Sequence, residues 1–257
     1  ATRVITEAVA RIRSALGPEG CIEEPDRVEP FVVDFRGLYR GATPLVACPA
    51  STAETARVLA ICNDLGVGVV PRGGNTSYCG GATPSARGDE IVLSLRRLNR
   101  IRETDAANFS MVAEAGCILA DVQAAAERAD RFFPLSLGAE GSCQIGGNLS
   151  TTAGGLNALR YGVARELVLG LEVVLPGGQV LDGLTSLRKD NTGYDLDDLF
   201  IGAEGTLGVI TAASLKLFPR QRTTETAFVA VRDAGAAVEL LGRLRAGTGD
   251  AVTSFEY

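Results

Sequence analysis

Glycine placement constrains this chain more than any other feature. Of its 257 residues 31 are glycine, and they gather into three loops beside apolar runs: PRGGNTSYCGG (71–81), GAEGSCQIGGNLSTTAGG (138–155) and GAEGTLG (202–208). A plain turn needs only one or two glycines to supply positive φ. Longer runs of small residues also let backbone approach a ligand and present successive N–H groups, which suits an anionic diphosphate. The second loop, around Ile145-Gly146-Gly147-Asn148, is apolar and suits backbone laid against a planar ring. Tight turns and a ligand cradle are both open at this level.

Two phosphate-binding motifs fail on spacing. LVACPASTAETARVLAICNDLGVGVVP reads as strand, helix, strand, with Ser51 and Glu54 at capping-box spacing. Val58, Leu59, Ile61, Cys62 and Leu65 form the apolar side of the helix, and Gly66 ends it. Val67 to Val70 then reads as a short buried strand. After Gly66 and Gly68, however, Pro71 stands where G-x-G-x-x-G requires glycine, and no G-K-[ST] occurs anywhere.

Strands are expected within 91–101 and 110–117, a helix over 118–129, a hairpin around Pro176-Gly177-Gly178, and a long strand within 199–219. Residues 221–225 read as a polar linker. Beyond them a strand–helix–strand pattern runs to Tyr257, as the opening of a second, incomplete domain.

The histidine count is zero. That excludes from this chain a Ser-His-Asp triad, a Cys-His dyad, an H-E-x-x-H zinc site and a histidyl-linked cofactor. Chemistry here must use carboxylates, Lys, Arg, Tyr, Cys or a borrowed cofactor. A net charge of -6 argues against nonspecific nucleic-acid binding. No run of about 20 apolar residues suggests a transmembrane span. The first residues, with Val4, Ile5, Val9, Ile12 and Leu16 at helical spacing before Gly17-Pro18, form a helix lacking a signal-peptide core, so a cytoplasmic location is expected. Six cysteines without a C-x-x-C pair read as buried reduced thiols, and Tyr78 and Cys79 as packing residues.

The order PRGGNTS, GSCQIGGN, TAGG, RYG, FIGAEGTLGVIT resembles the FAD-binding domain of the vanillyl-alcohol oxidase/p-cresol methylhydroxylase flavoprotein superfamily. The resemblance covers residues ~44 to 219 in order. Within it, PLSLGAEGSCQIGGN, LRYG and the stretch LRKDNTGYDL look most like the D-2-hydroxyglutarate dehydrogenase and D-lactate dehydrogenase branch. This implies an α+β, two-lobed FAD-binding domain of the p-cresol methylhydroxylase (PCMH) type over residues 1–220, with lobes roughly 1–100 and 101–220. Residues 221–257 would then open a cap domain.

Carried onto this sequence, the resemblance places Pro71, Arg72, Gly73, Gly74, Asn75, Thr76 and Ser77 around the FAD pyrophosphate, with Arg72 also bringing a positive charge to the loop entrance. Pro134, Leu137, Gly138 and Ser142 would continue that cradle. Cys143, Ile145, Gly146, Gly147 and Asn148 would line the ribityl chain and flavin. Thr151, Gly154, Gly155, Tyr161 and Gly162 would close the second lobe, and Glu204, Gly205, Gly208, Val209 and Ile210 would pack around the adenosine. Gln144 stands where relatives commonly carry His or Thr, with little consequence expected.

The activity so implied is oxidation of a D-2-hydroxyacid to the 2-oxoacid by hydride transfer to N5 of non-covalent FAD, with electrons passing to a quinone or an electron-transfer flavoprotein, in a possible homodimer. In relatives the cap supplies the substrate arginine and the catalytic and metal-binding histidines, so no catalytic or metal residue is assigned here. Lys189, Asp190 and Asn191 could reach the cofactor or form a solvated loop. Arg36 and Arg40 could face a substrate carboxylate or pair at the surface with Asp34. Two other readings stay open: a non-catalytic FAD-binding subunit of a multi-chain flavoenzyme, such as a glycolate oxidase complex, and an NADPH-using reductase of the same fold.

Overall fold

The computed structural model describes residues 2–257. Helix α1 (Thr2–Leu16) is followed by β1 (Cys21–Ile22), the short α2 (Pro25–Val28), β2 (Val46–Ala47), α3 (Thr52–Leu65), β3 (Gly68–Arg72) and β4 (Glu90–Ser94). These strands form a four-stranded sheet in the order β1-β2-β4-β3, with β2 and β3 parallel to β4. A second group follows: β5 (Ile101–Asp105), β6 (Ser110–Glu114), α4 (Leu119–Arg128), β7 (Arg131–Phe132), α5 (Ile145–Ser150), α6 (Ala158–Tyr161), β8 (Val168–Val174), β9 (Val180–Asp182), α7 (Asp197–Phe200), β10 (Val209–Lys216) and β11 (Phe218–Pro219). Its sheet is antiparallel throughout, in the order β5-β6-β10-β8-β9. Neither sheet closes on itself.

Local chemistry explains the best-formed elements. Ser51 Oγ accepts the Glu54 N–H at 3.1 Å and Glu54 Oε2 accepts the Ala50 N–H at 2.7 Å, so the capping signal is realised one residue off the ideal reciprocal pair. Gly66 ends α3 in the left-handed region at φ 64°, which glycine enters without Cβ strain. Helix α1 places Ile12 in one core with Val58, Leu59 and Cys62 of α3 and also buries Ala8, while Val4 of the expected apolar stripe is exposed. Helix α3 then lies between the sheets, and one core combines its side chains with Ile91 and Leu93 of β4 and Val174 and Val209 of the second sheet. The hairpin at Pro176-Gly177-Gly178 forms as β8–β9.

Three expectations are corrected. Strand β3 lies at the sheet edge and is only half-buried, because one side has no neighbouring strand. An edge is also where Pro71 can sit without costing a ladder hydrogen bond. Of the strand–helix–strand after residue 225, only the helix forms, as α8 (Ala234–Thr248), capped by Asp233. Segments 226–231 and 251–257 pair with no strand, and Phe228 is fully exposed; a strand needs a partner edge and a face to bury, and neither is present there. Tyr78 and Cys79 are exposed rather than packed, whereas Cys48, Cys62, Cys117 and Cys143 are buried.

A charged network ties strands of the second sheet to one another and to helix α3. Arg102 of β5 donates to Glu172 Oε1 of β8 (3.0 Å) and to Glu114 Oε1 of β6 (3.2 Å). Thr52, the first residue of α3, donates to Glu172 Oε1 at 2.6 Å, and Thr211 donates to the same oxygen at 2.8 Å. Burial pushes both carboxyls up, but the hydrogen bonds outweigh it, those of Arg100 and then Arg102 at Glu114 and those of Arg102, Thr52 and Thr211 at Glu172, and hold both below the ordinary glutamate range.

Asp197 shows the opposite balance. Burial first, then the neighbouring Asp195 and Asp198, push its carboxyl up to about 6. An acid whose folded pKa exceeds its unfolded value of about 3.9 contributes stability that is complete below that value and is lost as pH rises through about 6. Asp197→Asn should therefore melt with the parent near pH 4 and above it at pH 8. The gain should be about 2 °C, because the carboxylate is half-exposed and screened. Melting curves across that pH range measure it, and a gain at pH 4 would contradict the assignment.

Candidate cofactor site

The three glycine loops, as much as 130 residues apart in the chain, meet at one place. A Cβ on Gly74 would overlap the backbone oxygen of Ser142 and stand 3.0 Å from Cys143 Cα, so the first and second loops are in backbone contact. A Cβ on Gly205 would stand 3.0 Å from Pro71 Cγ, and one on Gly81 would lie 3.4 Å from Glu204 Oε2, which brings the third loop against the first. The third loop is also bound to α5: Gly202 N donates to Leu149 O (3.0 Å) and Glu204 N to Ser150 O (2.9 Å). Glycine is required at Gly205 by φ 79° as well as by crowding.

The first loop is a bed of free donors. Among the described residues, no protein acceptor takes the backbone N–H of residues 73–77. Asn75 lies in the left-handed region at φ 56° and is anchored by its own amide, which donates to Val33 O at 3.1 Å. Successive N–H groups around such a residue make an anion-binding concavity.

Arg72 holds this loop from beneath instead of lending its charge at the entrance. It is 3% exposed, and its guanidinium donates to Ala82 O (2.9 Å), Pro30 O (2.6 Å) and Val33 O (3.2 Å). Burial pulls its pKa down to about 10, which leaves it cationic at neutral pH.

Several side chains expected to line a ligand are turned into the protein. Cys143 is 1% exposed, its Sγ 3.5 Å from Asn148 Nδ2, and burial pushes the thiol up. Ile145 and Leu149 enter the second-sheet core, Asn148 is buried, and Gly146 donates its N–H to Ala115 O. Val209 and Ile210 fill the two cores, and a Cβ on Gly208 would stand 3.0 Å from Val174 O. Pro134 is buried, and Leu137 packs on the second core beside Gly155. The alternation of apolar residues marks burial, not the ligand side of a loop. What stays open around the seam is Gly73 to Ser77, Ser142, Gly147, Thr151 and Glu204, while Gly138 is exposed elsewhere on the second loop with nothing near it.

The outlying candidates are placed apart. Tyr161 stacks edge-on against Phe132 and Phe218, and its hydroxyl accepts from Gln221 at 3.2 Å, so it is an aromatic packing residue. Gly154 and Gly162 contact Val163 and Glu166 side chains. Lys189, Asp190 and Asn191 lie in an exposed loop. Arg40 pairs with Glu29 at 2.6 Å, and Arg36 stacks 3.9 Å from the Tyr78 ring centroid. Neither guanidinium meets Asp34, whose carboxylate instead accepts the Tyr39 and Arg36 N–H groups. A separate cleft of about 500 Å³, between α4 and residues 220–224, has none of 71–81 or 202–208 on its wall.

The sequence model of an FAD binding domain matches residues 43–183, more than half of the chain and inclusive of the first two loops. The chain belongs to the FAD-binding-domain family. This FAD-binding domain is 43% identical over 252 residues to the probable mitochondrial D-2-hydroxyglutarate dehydrogenase of Oryza sativa subsp. indica, covering 98% of the chain and 45% of that protein. It is 44% identical over 240 residues to the mitochondrial D-2-hydroxyglutarate dehydrogenase of Bos taurus, covering 93% and 44%. The chain thus spans just under half the length of these curated relatives. A structure of p-cresol methylhydroxylase with substrate bound superposes with a TM-score of 0.74 at 20% identity, over 96% of this chain and 49% of that one, which shows the PCMH-type fold. The expectation of a cytoplasmic location is overturned by relatives named as mitochondrial proteins. The lack of a signal-peptide core in the N-terminal helix is therefore no guide to location.

The residues present fit FAD. The seam has five consecutive free N–H groups for a diphosphate, and side-chain-free backbone where the loops meet. The loops also hold two buried polar atoms without a partner among the described residues, Gln144 Oε1 against Gly73 and Thr152 Oγ1 on a side chain beside Gly202.

Proposed function

We propose that this chain is the cofactor-holding part of an FAD-dependent D-2-hydroxyacid dehydrogenase, acting on a substrate of the D-2-hydroxyglutarate or D-lactate type. The observation that carries the reading is the convergence of the three loops on a run of free backbone donors, in a chain resembling D-2-hydroxyglutarate dehydrogenases along nearly all its length. Residues 73–77 bind the diphosphate through their N–H groups, with the Ser142 hydroxyl beside them. Gly147, Thr151 and Glu204 flank the remainder of the cofactor. Buried Arg72 keeps the N–H bed in shape and sets a fixed positive charge below it. Bound FAD supplies a two-electron acceptor for the hydroxyacid, and the protein orients it and keeps water from it. Residues 1–220 form the cofactor domain and 221–257 begin the unit that binds substrate; electrons leave to a quinone or an electron-transfer flavoprotein.

The cofactor is held without a covalent bond. Cys143 is buried with its thiol pushed up, and none of these 257 residues is a histidine that could form a link. Purified chain mixed with excess FAD and desalted should stay yellow, and acid precipitation should release all the flavin to the supernatant. Protein that remains colourless after FAD addition would refute the reading, and flavin retained in the acid pellet would refute its non-covalent part.

A further inference from the structure

We infer that the Gln144 carboxamide accepts a hydrogen bond from a hydroxyl of the bound dinucleotide next to its diphosphate, and so selects for the hydroxyl-bearing chain as well as for the phosphates. The inference rests on the FAD reading above. Gln144 is 8% exposed, and its Oε1 is buried without a hydrogen-bond partner among the described residues. The side chain has local work available and does none of it: Gln144 is the N-cap of α5, yet makes no capping bond. Its backbone is held firmly, by a β-bridge to Ile118 and by Asn148 N donating to Gln144 O at 2.9 Å.

The position of the orphan atom says what could satisfy it. A Cβ on Gly73 would stand 3.6 Å from both Gln144 Oε1 and Gly147 Cα, so the carboxamide lies at the seam of the first loop and α5, beside a residue without a side chain. The adjacent free groups are all donors, the N–H groups of 73–77. They suit phosphate oxygens, which only accept. An acceptor planted beside them cannot face phosphate without repulsion, so its partner must be a donor close to phosphate. In FAD the donors flanking the diphosphate are the ribityl hydroxyls on one side and the adenosine ribose hydroxyls on the other.

An unpaired buried acceptor is costly, and the same atom paired in the complex is favourable. This gives effects of opposite sign. Gln144→Met, of similar length and without the polar atoms, should raise the melting temperature of the FAD-free protein yet weaken FAD binding about tenfold. A residue with only a packing role would lower both. Gln144→His, which keeps an acceptor, should recover most of the affinity.

The decisive measurement titrates unaltered protein and Gln144→Met, by quenching of flavin fluorescence, with FAD and with two FAD analogues. One analogue lacks the ribityl hydroxyls and the other the ribose hydroxyls. One of them should bind unaltered protein about tenfold more weakly than FAD and lose nothing further in the variant; which one it is identifies the hydroxyl. Equal weakening of FAD and both analogues by Gln144→Met would overturn the inference, pointing to the rotated amide donating to phosphate. So would unchanged FAD affinity in the variant. If Gln144→Met misfolds, Gln144→Leu takes its place in the cycle, and equal affinity of unaltered protein for FAD and both analogues overturns the inference without any substitution. Failure of unaltered protein to bind FAD at all is a separate outcome, which removes the FAD reading and this inference with it.

Discussion

Arg102→Ala is expected to cost about 3 kcal/mol of stability at neutral pH, because it leaves the buried Glu172 carboxylate without a cation and takes one of two guanidiniums from the buried Glu114. Glu114 is fully buried, and Glu172 nearly so. Without Arg102, Glu172 keeps only the hydroxyls of Thr52 and Thr211, and Glu114 keeps Arg100. Urea unfolding at pH 7 measures the loss. Arg100→Ala is the comparison: its side chain is 69% exposed, so its pair with Glu114 is screened, and about 1 kcal/mol is expected. The pH dependence has a definite sign. Carboxyls held below their ordinary value contribute stability present above about pH 4.3 and lost as pH falls, so the penalty of Arg102→Ala should shrink on acidification. A penalty under 1 kcal/mol at pH 7, or one that grows in acid, would show that the network does not hold the second sheet and α3 together.

The second large effect is at the seam of the loops. Gly74→Ala puts a methyl group into the backbone of Ser142 and Cys143, and neither can swing away as a flexible side chain could. Gly74 has no positive φ, so the cost is purely steric. Separating the loops should destabilise the protein by about 2 kcal/mol and weaken FAD binding by about 100-fold or more, since donors on one loop no longer face the other. Gly141→Ala is the matched control in the same region, with nothing within 4 Å of its added carbon, and should leave stability unchanged. Retention of normal FAD affinity by Gly74→Ala would mean that the contact between these loops does not shape the site.

Much of the fold was legible in the sequence wherever the signal was local. The periods of α1, α3 and α4, the Ser51 cap, the Gly66 stop, the β8–β9 hairpin and the long β10 each rest on residues a few positions apart. Local pattern misleads where a distant partner decides. The apolar run at β3 could not announce that it would be an edge, and the β-like pattern after 225 could not supply a neighbouring strand. Glu114 and Glu172 offered a usable sign, each a lone acid inside an apolar strand, but not the identity of the cation from β5 that serves both.

The sequence by itself determined the ingredients of the site: three glycine-rich loops, their order along the chain, and the absence of histidine, which leaves carboxylates, Lys, Arg, Tyr, Cys or a borrowed cofactor for any chemistry. Only the tertiary structure decided how they are used. It turned Arg72, Cys143, Asn148, Val209 and Ile210 inward, left the N–H groups of 73–77 without acceptors, and set the unpaired Gln144 oxygen against Gly73. The physical reason is that backbone propensity is local, whereas which face of a residue is buried, and which polar group finds a partner, depends on chain brought from more than 100 residues away.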